Sequence, residues 1–294
     1  MKKAIITGAA GFAGCHLTES LTDKGYKVYA VVRPGSEHND RIKGFENVTC
    51  VEVNIESNNC DLSRLPENFD YFFHLAWKPA DRYDYPAQME SAYLTLEMLE
   101  NAAKLGCRRF IGIGSQAEYG AADDLTKEDD TPLRPFCGYG AAKTAACYMT
   151  KMRAKKLGIE WVWGRIFSVY GRYEPDGRLL PYLIKAFVKG EDVKLSSCRQ
   201  NWDFLNGSDA GKALAAMAEH GRDGEIYNIA YGGYRPLRDF VEETARICGY
   251  KGRLTYGKDP EPFVSLQPSV DKLKRDTGWA PEVSFETGIK ELLR

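Results

Sequence analysis

The sequence lacks several features that would point to particular functions. It has no apolar run near the ~18 residues that a membrane-spanning helix needs. Its eight cysteines form no Cys-x-x-Cys pair, and its four histidines do not stand at ligand spacing beside them, so metal binding is not expected. The formal net charge of −1 gives no reason to expect nucleic acid or an anionic membrane surface as a partner.

These absences favour a cytoplasmic location. The first strand pattern begins at Lys3, which leaves no room for a signal peptide. Scattered cysteines are ordinary small buried residues in a reducing cytoplasm. A hydrophobic content of 44% and a charged content of 28% are typical of a globular protein, and 294 residues suffice for one large domain or a domain with a smaller partner.

Short apolar runs alternate with helical patterns in the first part of the chain. This alternation predicts an α/β fold, a Rossmann-type doubly wound parallel sheet with a smaller C-terminal substrate lobe. We assign residues 1–165 to a dinucleotide-binding domain and 166–294 mainly to the lobe, and leave open a return to the first domain near 202–230. The predicted strands are Lys3–Thr7, Lys27–Val32, Val48–Val53, Tyr71–Leu75, Phe110–Gly114 and Glu160–Arg165, and the predicted helices are Cys15–Thr22, Pro86–Leu105, Tyr139–Leu157, Leu180–Lys189, Ser208–His220, Leu237–Cys248 and Phe285–Leu293.

A glycine motif directly follows the first predicted strand. Gly8, Gly11 and Gly14 have the spacing Gly-x-x-Gly-x-x-Gly, and a helical segment follows them. In such a turn the first glycine permits the tight bend, the second lets the backbone approach a pyrophosphate, and the third lets the helix pack close to the strand. Backbone N–H groups at the helix start, including those of Phe12 and Ala13, favour a phosphate. The motif therefore predicts a dinucleotide site.

The end of the second predicted strand indicates which dinucleotide is bound. An acidic residue there would accept a hydrogen bond from a ribose 2′-hydroxyl and repel a 2′-phosphate. The chain instead has Arg33 at this point and no Asp or Glu, with Ser36 three residues later. An arginine grips a phosphate or stacks on adenine. NADP(H) is therefore favoured, and NAD(H) is the alternative.

A tyrosine and a lysine one helical turn apart suggest acid–base chemistry. Tyr139 and Lys143 have i,i+4 spacing, which puts both on one helix face. A nearby ammonium lowers the pKa of a phenol, so the pair can exchange a proton with a substrate hydroxyl while hydride moves to or from a nicotinamide. Ser115 lies at the carboxyl end of the fifth predicted strand, where its hydroxyl can hold the same substrate oxygen.

Over essentially its whole length the chain resembles the extended short-chain dehydrogenases/reductases of the NAD-dependent epimerase/dehydratase family, which modify sugar nucleotides. The resemblance implies that Tyr139 is the catalytic acid/base, Lys143 its activator and ribose anchor, and Ser115 the ligand of the substrate oxygen. It also implies a homodimer that buries the helices near 86–105 and 139–157. The segments that carry it are the glycine motif, His74-Leu75-Ala76-Trp77, Ser115…Tyr119-Gly120, Tyr139…Lys143, Arg165–Gly171, Trp202-Asp203-Phe204-Leu205…Asp209, Tyr227–Ala230 and Asp276–Pro281.

The predicted site has a cofactor part and a substrate part. The predicted cofactor-binding residues are Gly8, Gly11, Phe12, Ala13, Arg33, Asn54, Ile55, Leu75, Ala76, Trp77, Tyr139, Lys143 and Phe167. The predicted substrate-binding residues are Trp77, Ser115, Gln116, Ala117, Ser168, Arg178, Arg199 and Trp202.

Departures from the family pattern narrow the reaction. The 4,6-dehydratases of this family carry Asp-Glu after the strand-end hydroxyl, where the chain has Gln116 and Ala117, so dehydratase activity is disfavoured. Glu118 is interpreted as structural. The family's 3,5-epimerase/reductases use a cysteine at this strand end, where Gln116 and Ala117 offer no thiol. Its 4-epimerases typically hold NAD with an acidic residue on the ribose, where this chain has Arg33. The hypothesis that remains is NADPH-dependent reduction of a 4-keto group on a nucleotide-activated deoxysugar, as in CDP-abequose synthase-like 4-ketoreductases. The alternatives are a nucleotide-sugar 4-epimerase with tightly bound NAD and, from another class, a non-catalytic dinucleotide-binding sensor.

Overall fold

The computed structural model describes residues 1–55, 60, 62–122 and 124–294. Within these ranges the main feature is a seven-stranded parallel sheet in the order β11-β6-β5-β4-β1-β2-β3. The first six strands have the order of a dinucleotide-binding fold, with β1 and β4 as neighbours at the point where the order reverses. The strands are β1 Lys3–Thr7, β2 Lys27–Val32, β3 Val48–Glu52, β4 Tyr71–His74, β5 Arg109–Ser115, β6 Glu160–Ile166, β7 Ser168–Tyr170, β8 Val193–Leu195, β9 Asn201–Trp202, β10 Phe204–Asn206, β11 Ile226–Ile229, β12 Arg235–Pro236 and β13 Leu254–Tyr256.

The described helices cover both faces of this sheet and build the C-terminal lobe. Short 3-10 helices also occur at Glu37–Arg41 and Gln116–Glu118. The α-helices are α1 Phe12–Asp23, α2 Tyr85–Lys104, α3 Gly138–Leu157, α4 Leu179–Lys189, α5 Gly207–His220, α6 Leu237–Ile247, α7 Asp271–Thr277 and α8 Phe285–Leu292. None of the helices in the described ranges is long and apolar enough to cross a membrane.

Side chains of the central strands alternate between two apolar cores. Ile6 of β1 packs in the core that holds α1 and α5, whereas its neighbour Ile5 packs in the core that holds α2 and α3. Phe73 and Phe72 of β4 divide in the same way. A sheet covered on both faces explains why these strands are continuous apolar runs in the sequence. The predicted α/β fold class is confirmed.

The chain returns to the main sheet after leaving it. Helix α5 packs on α1, and β11 pairs with β6 through Asn228 opposite Arg165. These elements fall within the segment 202–230 for which a return was left open. The division of the chain at residue 165 stays a proposal. Strand β6 extends one residue beyond it, to Ile166.

The remaining elements form a smaller apolar cluster beside the sheet. Helices α4, α6 and α8 pack around the rings of Phe204, Phe240 and Phe285, with centroids 4.8–5.8 Å apart. Three short strand pairs connect the loops of this part: β7 with β10, β8 with β13, and β9 with β12.

Several element boundaries differ from the prediction for local reasons. Helix α1 begins at Phe12 rather than Cys15, because Gly11 is already the N-cap residue. Helix α2 begins at Tyr85 rather than Pro86, because the Asp84 carboxylate caps it by accepting from Ala87 N. Strands β7 to β13 and helix α7 have no counterpart among the predicted elements.

Candidate active site

The glycine turn after β1 has the geometry that a phosphate cradle needs. Gly8 has φ +74°, and a Cβ there would lie 2.9 Å from Ala76 N. A Cβ at Gly14 would lie 2.1 Å from Gly8 O, so only glycine allows α1 this close to the turn. The first turn of α1 carries no acidic residue, which leaves its positive dipole end free for an anion. The turn therefore fits a dinucleotide pyrophosphate.

A cleft of about 390 Å³ opens at this turn along the carboxyl ends of β1, β2 and β4. Eight of the predicted cofactor-binding residues line it: Gly8, Gly11, Arg33, Asn54, Ile55, Leu75, Ala76 and Trp77. The structure also brings in residues that sequence reasoning missed as cofactor contacts: Ala10, Val31, Val32, His38, Asn39, Val53, Lys78, Pro79, Glu90, Ser91, Tyr93, Leu94 and Glu97. The other five predicted cofactor-binding residues do not line this cleft: Phe12, Ala13, Tyr139, Lys143 and Phe167. The ring of Phe167 packs against the Tyr119 ring.

One end of the cleft is formed by the turn after β2. Arg33, Ser36, His38 and Asn39 line it. The turn is rigid, because Asn39 Nδ2 donates to Arg33 O at 3.0 Å and Ser36 Oγ accepts from His38 N at 3.3 Å. No carboxylate from this turn lines the cleft among the described residues. The end that would receive the ribose therefore carries basic and neutral polar groups.

Arg41 is a basic residue near the phosphate turn that the sequence did not single out. Its Nη1 donates to Ala10 O at 3.4 Å, and its guanidinium lies 5.1 Å from the centre of the Tyr173 ring. This arrangement links the segment after β2 to the segment after β7 across the glycine turn. Arg41 is hard to identify as a candidate site residue from the sequence. It lies beyond the end of β2, where the residue that binds the ribose is expected.

Ser115, Tyr139 and Lys143 lie together. Ser115 ends β5, and Tyr139 is the second residue of α3. The Ser115 hydroxyl is near enough to the Tyr139 phenol to lower its pKa. The Lys143 ammonium lies 5.9 Å from the centre of the Tyr139 ring and donates to Ile113 O at 2.7 Å. The geometry thus places a phenol, a hydroxyl and an amine at the end of one central strand.

Trp77 joins the cofactor cleft to this trio. Its ring meets Tyr139 edge-on with centroids 5.9 Å apart, and the Lys143 Nζ lies 3.7 Å from its ring centre. The indole N–H donates to Gln88 Oε1 at 2.8 Å, which fixes the ring plane. Trp77 therefore packs as a cation–π partner of Lys143 as well as lining the cleft.

The protonation states of the trio differ in part from the prediction. Burial raises the pKa of the Tyr139 phenol, against smaller lowering effects of Ser115 and Arg178. The net shift is therefore opposite to the lowering that the sequence predicted, because burial outweighs the effect of the nearby charges. Burial also lowers the pKa of Lys143 to about 7, with the Glu118 carboxylate acting in the opposite direction. Tyr139 thus keeps its proton at neutral pH.

The predicted substrate-binding residues are only partly brought to this centre. Gln116 and Ala117 follow Ser115 directly in a 3-10 helix, and the Arg178 guanidinium is close enough to Tyr139 to lower the pKa of its phenol. Trp202 is half-buried between two apolar clusters, and its indole N–H is buried without a hydrogen-bond partner.

Two further members of the predicted substrate set have contacts in the C-terminal part of the chain. Ser168 begins β7 and pairs with Phe204 of β10. Arg199 is exposed and forms an ion pair with Asp259, with Nε donating to Oδ1 at 3.1 Å. In the described part of the chain, Arg199 makes no hydrogen bond or ion pair with Ser115, Tyr139 or Lys143. Arg199 is the weakest member of the predicted site.

Comparison with known proteins decides the family. The model of the NAD dependent epimerase/dehydratase family matches residues 4–230. The chain belongs to this family. The resemblance inferred from the motifs is thereby confirmed. No group of His, Cys, Asp and Glu in the described residues has the arrangement of a metal site.

Individual relatives carry different activities. A UDP-N-acetyl-alpha-D-glucosaminuronate decarboxylase of Bacillus cytotoxicus is 25% identical over 100% of this chain and 97% of its own length. The UDP-glucuronic acid 4-epimerase of Bacillus cereus, solved with NAD, has a TM-score of 0.86 at 24% identity, covering 99% of this chain and 100% of that one. RMD of Pseudomonas aeruginosa, solved with NADPH, has a TM-score of 0.83 at 20% identity, covering 100% and 98%.

Proposed function

We propose that the protein is an NADPH-dependent reductase of a 4-keto group on a nucleotide-activated deoxysugar. The observation that carries the proposal is the catalytic centre itself: a Tyr139 phenol with a raised pKa beside the Ser115 hydroxyl, followed by Gln116 and Ala117 where a dehydratase needs carboxylates. A reductase needs a proton donor beside the keto oxygen and no base to remove a proton from a neighbouring carbon. This centre has that composition.

The cleft residues support a dinucleotide with a 2′-phosphate. The Gly8–Gly14 turn would hold the pyrophosphate, and Arg33, Ser36 and His38 would surround the ribose 2′ position. Arg41 donates a hydrogen bond to Ala10 O beside the same turn, where it adds a second guanidinium. When bound, NADPH would supply the hydride for the carbonyl carbon.

The proton steps follow from the positions of the side chains. The Ser115 hydroxyl orients the substrate keto oxygen beside the Tyr139 phenol, and the phenol donates its proton as negative charge develops on that oxygen. The Lys143 ammonium stabilises the phenolate that remains. Trp77 keeps water away from Lys143 by covering it at 3.7 Å. Solvent protons then restore the phenol.

The substrate nucleotide would be held from the C-terminal lobe. Arg178 is the basic residue whose charge reaches Tyr139, so we assign it to the substrate diphosphate. The unpartnered indole N–H of Trp202 is a donor for a substrate oxygen at the same boundary. Arg199 is not needed for this arrangement because Asp259 already neutralises it.

A 4-epimerase is the second candidate. The similarity in fold to the Bacillus cereus 4-epimerase favours it, since an epimerase needs the same hydroxyl, phenol and amine. An epimerase begins by oxidising its substrate, for which the tyrosine must first lose its proton. The raised pKa of Tyr139 and the basic ribose end therefore favour the reductase.

We also propose a homodimer in the cytoplasm. Helices α2 and α3 pack together and expose aromatic and methionine side chains on their outer faces: Tyr85, Met89, Tyr93, Tyr148, Met149 and Met152. Exposed apolar surface of this kind is typical of an interface between subunits. Met152→Glu is expected to shift the mass from light scattering from a dimer toward 33.0 kDa, and a wild-type monomer at micromolar concentration would contradict the proposal.

The identity of the bound dinucleotide tests the proposal. We expect the purified protein to exchange NADPH freely and to bind it more tightly than NADH in fluorescence titrations. Tightly retained NAD, with interconversion of nucleotide sugars at C4 and no added cofactor, would identify the epimerase instead. Binding of either dinucleotide without turnover of any nucleotide sugar would favour the sensor.

A further inference from the structure

A buried amide of α2 lies beside the Trp77 ring. Gln88 is 1% exposed, and its side chain forms two hydrogen bonds to residues 77–84, the 77–84 loop, which joins β4 to α2. Its Oε1 accepts from the indole N–H of Trp77 at 2.8 Å, and its Nε2 donates to Asp81 O at 2.9 Å. One side chain therefore holds both the Trp77 ring and the backbone of the 77–84 loop.

Other residues of α2 also hold the 77–84 loop, but at different points. Lys78 N donates to Ser91 Oγ at 3.3 Å, and Lys78 Nζ forms an ion pair with Glu90 at 2.6 Å. Ser91 and Glu90 thus hold the backbone and the ammonium of Lys78. Gln88 instead holds the aromatic ring of the residue before it.

The 77–84 loop in turn contacts the start of α3. Arg82 O accepts from Tyr139 N at 2.9 Å. A Cβ at Gly138 would lie 2.9 Å from Tyr85 Cδ1 and 3.1 Å from Arg82 O, so α3 begins in close contact with this part of the chain. The backbone position of Tyr139 therefore depends on the loop that Gln88 anchors.

Trp77 is the residue at which the cofactor cleft meets the proposed catalytic pair, Tyr139 and Lys143. Its ring lines the cleft, which Tyr139 and Lys143 do not line. The same ring meets Tyr139 edge-on with centroids 5.9 Å apart, and the Lys143 Nζ lies 3.7 Å from its centre. Among aromatic rings, the indole attracts a cation most strongly. A rotation of the Trp77 ring would therefore change both the wall of the cleft and the contact on Lys143.

We infer that Gln88 is a positioning residue: it holds the Trp77 ring over Lys143 and against Tyr139, and so sets the geometry of the catalytic pair relative to the cofactor cleft. The inference rests on the proposed function, which gives Tyr139 and Lys143 their catalytic roles. A catalytic group must be held within about 0.5 Å of its productive position by neighbours that are themselves fixed. A purely structural Gln88 would stabilise the 77–84 loop and leave the position of the Trp77 ring unchanged when it is replaced.

Two variants of Gln88 remove this constraint. Gln88→Met fills a similar volume and can form neither hydrogen bond. Gln88→Asn keeps the amide on a side chain one methylene shorter, so it cannot span the same two partners. Thr150→Val is the matched control, because the buried Thr150 hydroxyl accepts from another indole N–H, that of Trp161, at 3.0 Å. The control leaves a buried indole donor unpaired as Gln88→Met does, and neither Thr150 nor Trp161 lines the cleft.

The first measurement is the ring-current shift of the Lys143 ε-methylene protons, read by NMR in protein labelled with ¹³C-lysine and assigned with Lys143→Met. Protons over the face of an indole resonate upfield, so the shift reports the Trp77 ring over Lys143 in the protein alone. We expect the wild type and Thr150→Val to show this upfield shift and both Gln88 variants to lose most of it. A folded Gln88 variant that keeps the full shift overturns the inference, as does an equal loss in Thr150→Val or failure of both Gln88 variants to fold.

The second measurement distinguishes action through the Trp77 ring from support of the 77–84 loop. NADPH-dependent turnover of a nucleotide-linked 4-keto-6-deoxysugar is compared for Gln88→Met, Trp77→Phe and the double variant. Because a misplacement of ~1 Å can cost ~10²-fold in rate, Gln88→Met should lower kcat by up to that factor. In the Trp77→Phe background, which has no indole N–H, the same change should lower kcat far less. An equal fall in both backgrounds would assign Gln88 to the loop alone and overturn the inference. If the wild type does not reduce this sugar, the proposed function fails, and the ring-current shift still decides whether Gln88 positions Trp77.

Discussion

Removing the phenolic hydroxyl of Tyr139 is the most informative single perturbation of the proposed chemistry. Tyr139→Phe keeps the ring that packs edge-on against Trp77 and removes the hydroxyl that lies near Ser115. A positioned acid–base group contributes ~10²–10⁴-fold to rate, equivalent to about 2.7–5.4 kcal/mol of transition-state stabilisation. The glycine turn and the cleft are unchanged, so the affinity for NADPH should change little.

The assay is consumption of NADPH with a nucleotide-linked 4-keto-6-deoxysugar, alongside a fluorescence titration of NADPH. Tyr182→Phe is the matched control, because Tyr182 is 45% exposed on α4 and should keep wild-type turnover. The variant should lose kcat by the stated factor and keep its affinity for NADPH. Reduction by Tyr139→Phe at nearly the wild-type rate would show that another group donates the proton and that the site assignment is wrong.

Three further perturbations test the cofactor cleft and the core. Arg33→Asp should reverse the preference from NADPH to NADH, because a carboxylate accepts from a ribose 2′-hydroxyl and repels a 2′-phosphate; titrations in which the wild type prefers NADH would refute this. Gly14→Ala forces a Cβ to 2.1 Å from Gly8 O. It should lower the free energy of unfolding in urea by ~1–3 kcal/mol and weaken NADPH binding. The control Gly44→Ala, whose Cβ would have nothing within 4 Å, should do neither. Burial lowers the pKa of His74 from 6.5 to about 3. As the pH drops below 6.5, the unfolded chain therefore binds a proton at this residue before the folded protein does. The free energy of unfolding should fall by up to ~1.4 kcal/mol per pH unit in this range. His74→Asn should flatten that dependence, and an identical slope in both proteins would contradict the assignment.

The central sheet was predictable because its residues obey one local rule. Buried parallel strands are continuous apolar runs, and the glycine motif marks the first crossover. The short strands of the lobe do not obey this rule. Strand β9 has two residues and β7 has three, which is too short for any periodicity to show. Helix α7 is polar along most of its length, so it carries no apolar stripe.

The site was predictable where a motif fixes the residue type, and not where long-range packing decides the role. The Gly8 turn and the Ser115–Tyr139–Lys143 group follow from their motifs. Arg41 reaches the glycine turn only because the 3-10 helix after β2 folds back toward it. The raised pKa of Tyr139 depends on burial by neighbours that the sequence does not identify.

Glu118 illustrates the same limit. Its partners Trp163 and Arg165 lie more than forty residues away in the sequence, with contacts at separations of 45 and 47 residues. The sequence supports a structural role for it, and only the folded arrangement connects it to the Ser115 backbone.

The most direct test of the central claim is one reaction of the wild-type protein. The protein is incubated with NADPH and a nucleotide-linked 4-keto-6-deoxysugar, and both NADPH and the sugar are followed. We expect one NADPH to be oxidised for each 4-keto group converted to a hydroxyl, with the proton from Tyr139. Absence of NADPH consumption, together with inversion at C4 of a nucleotide sugar by protein-bound NAD, would contradict it.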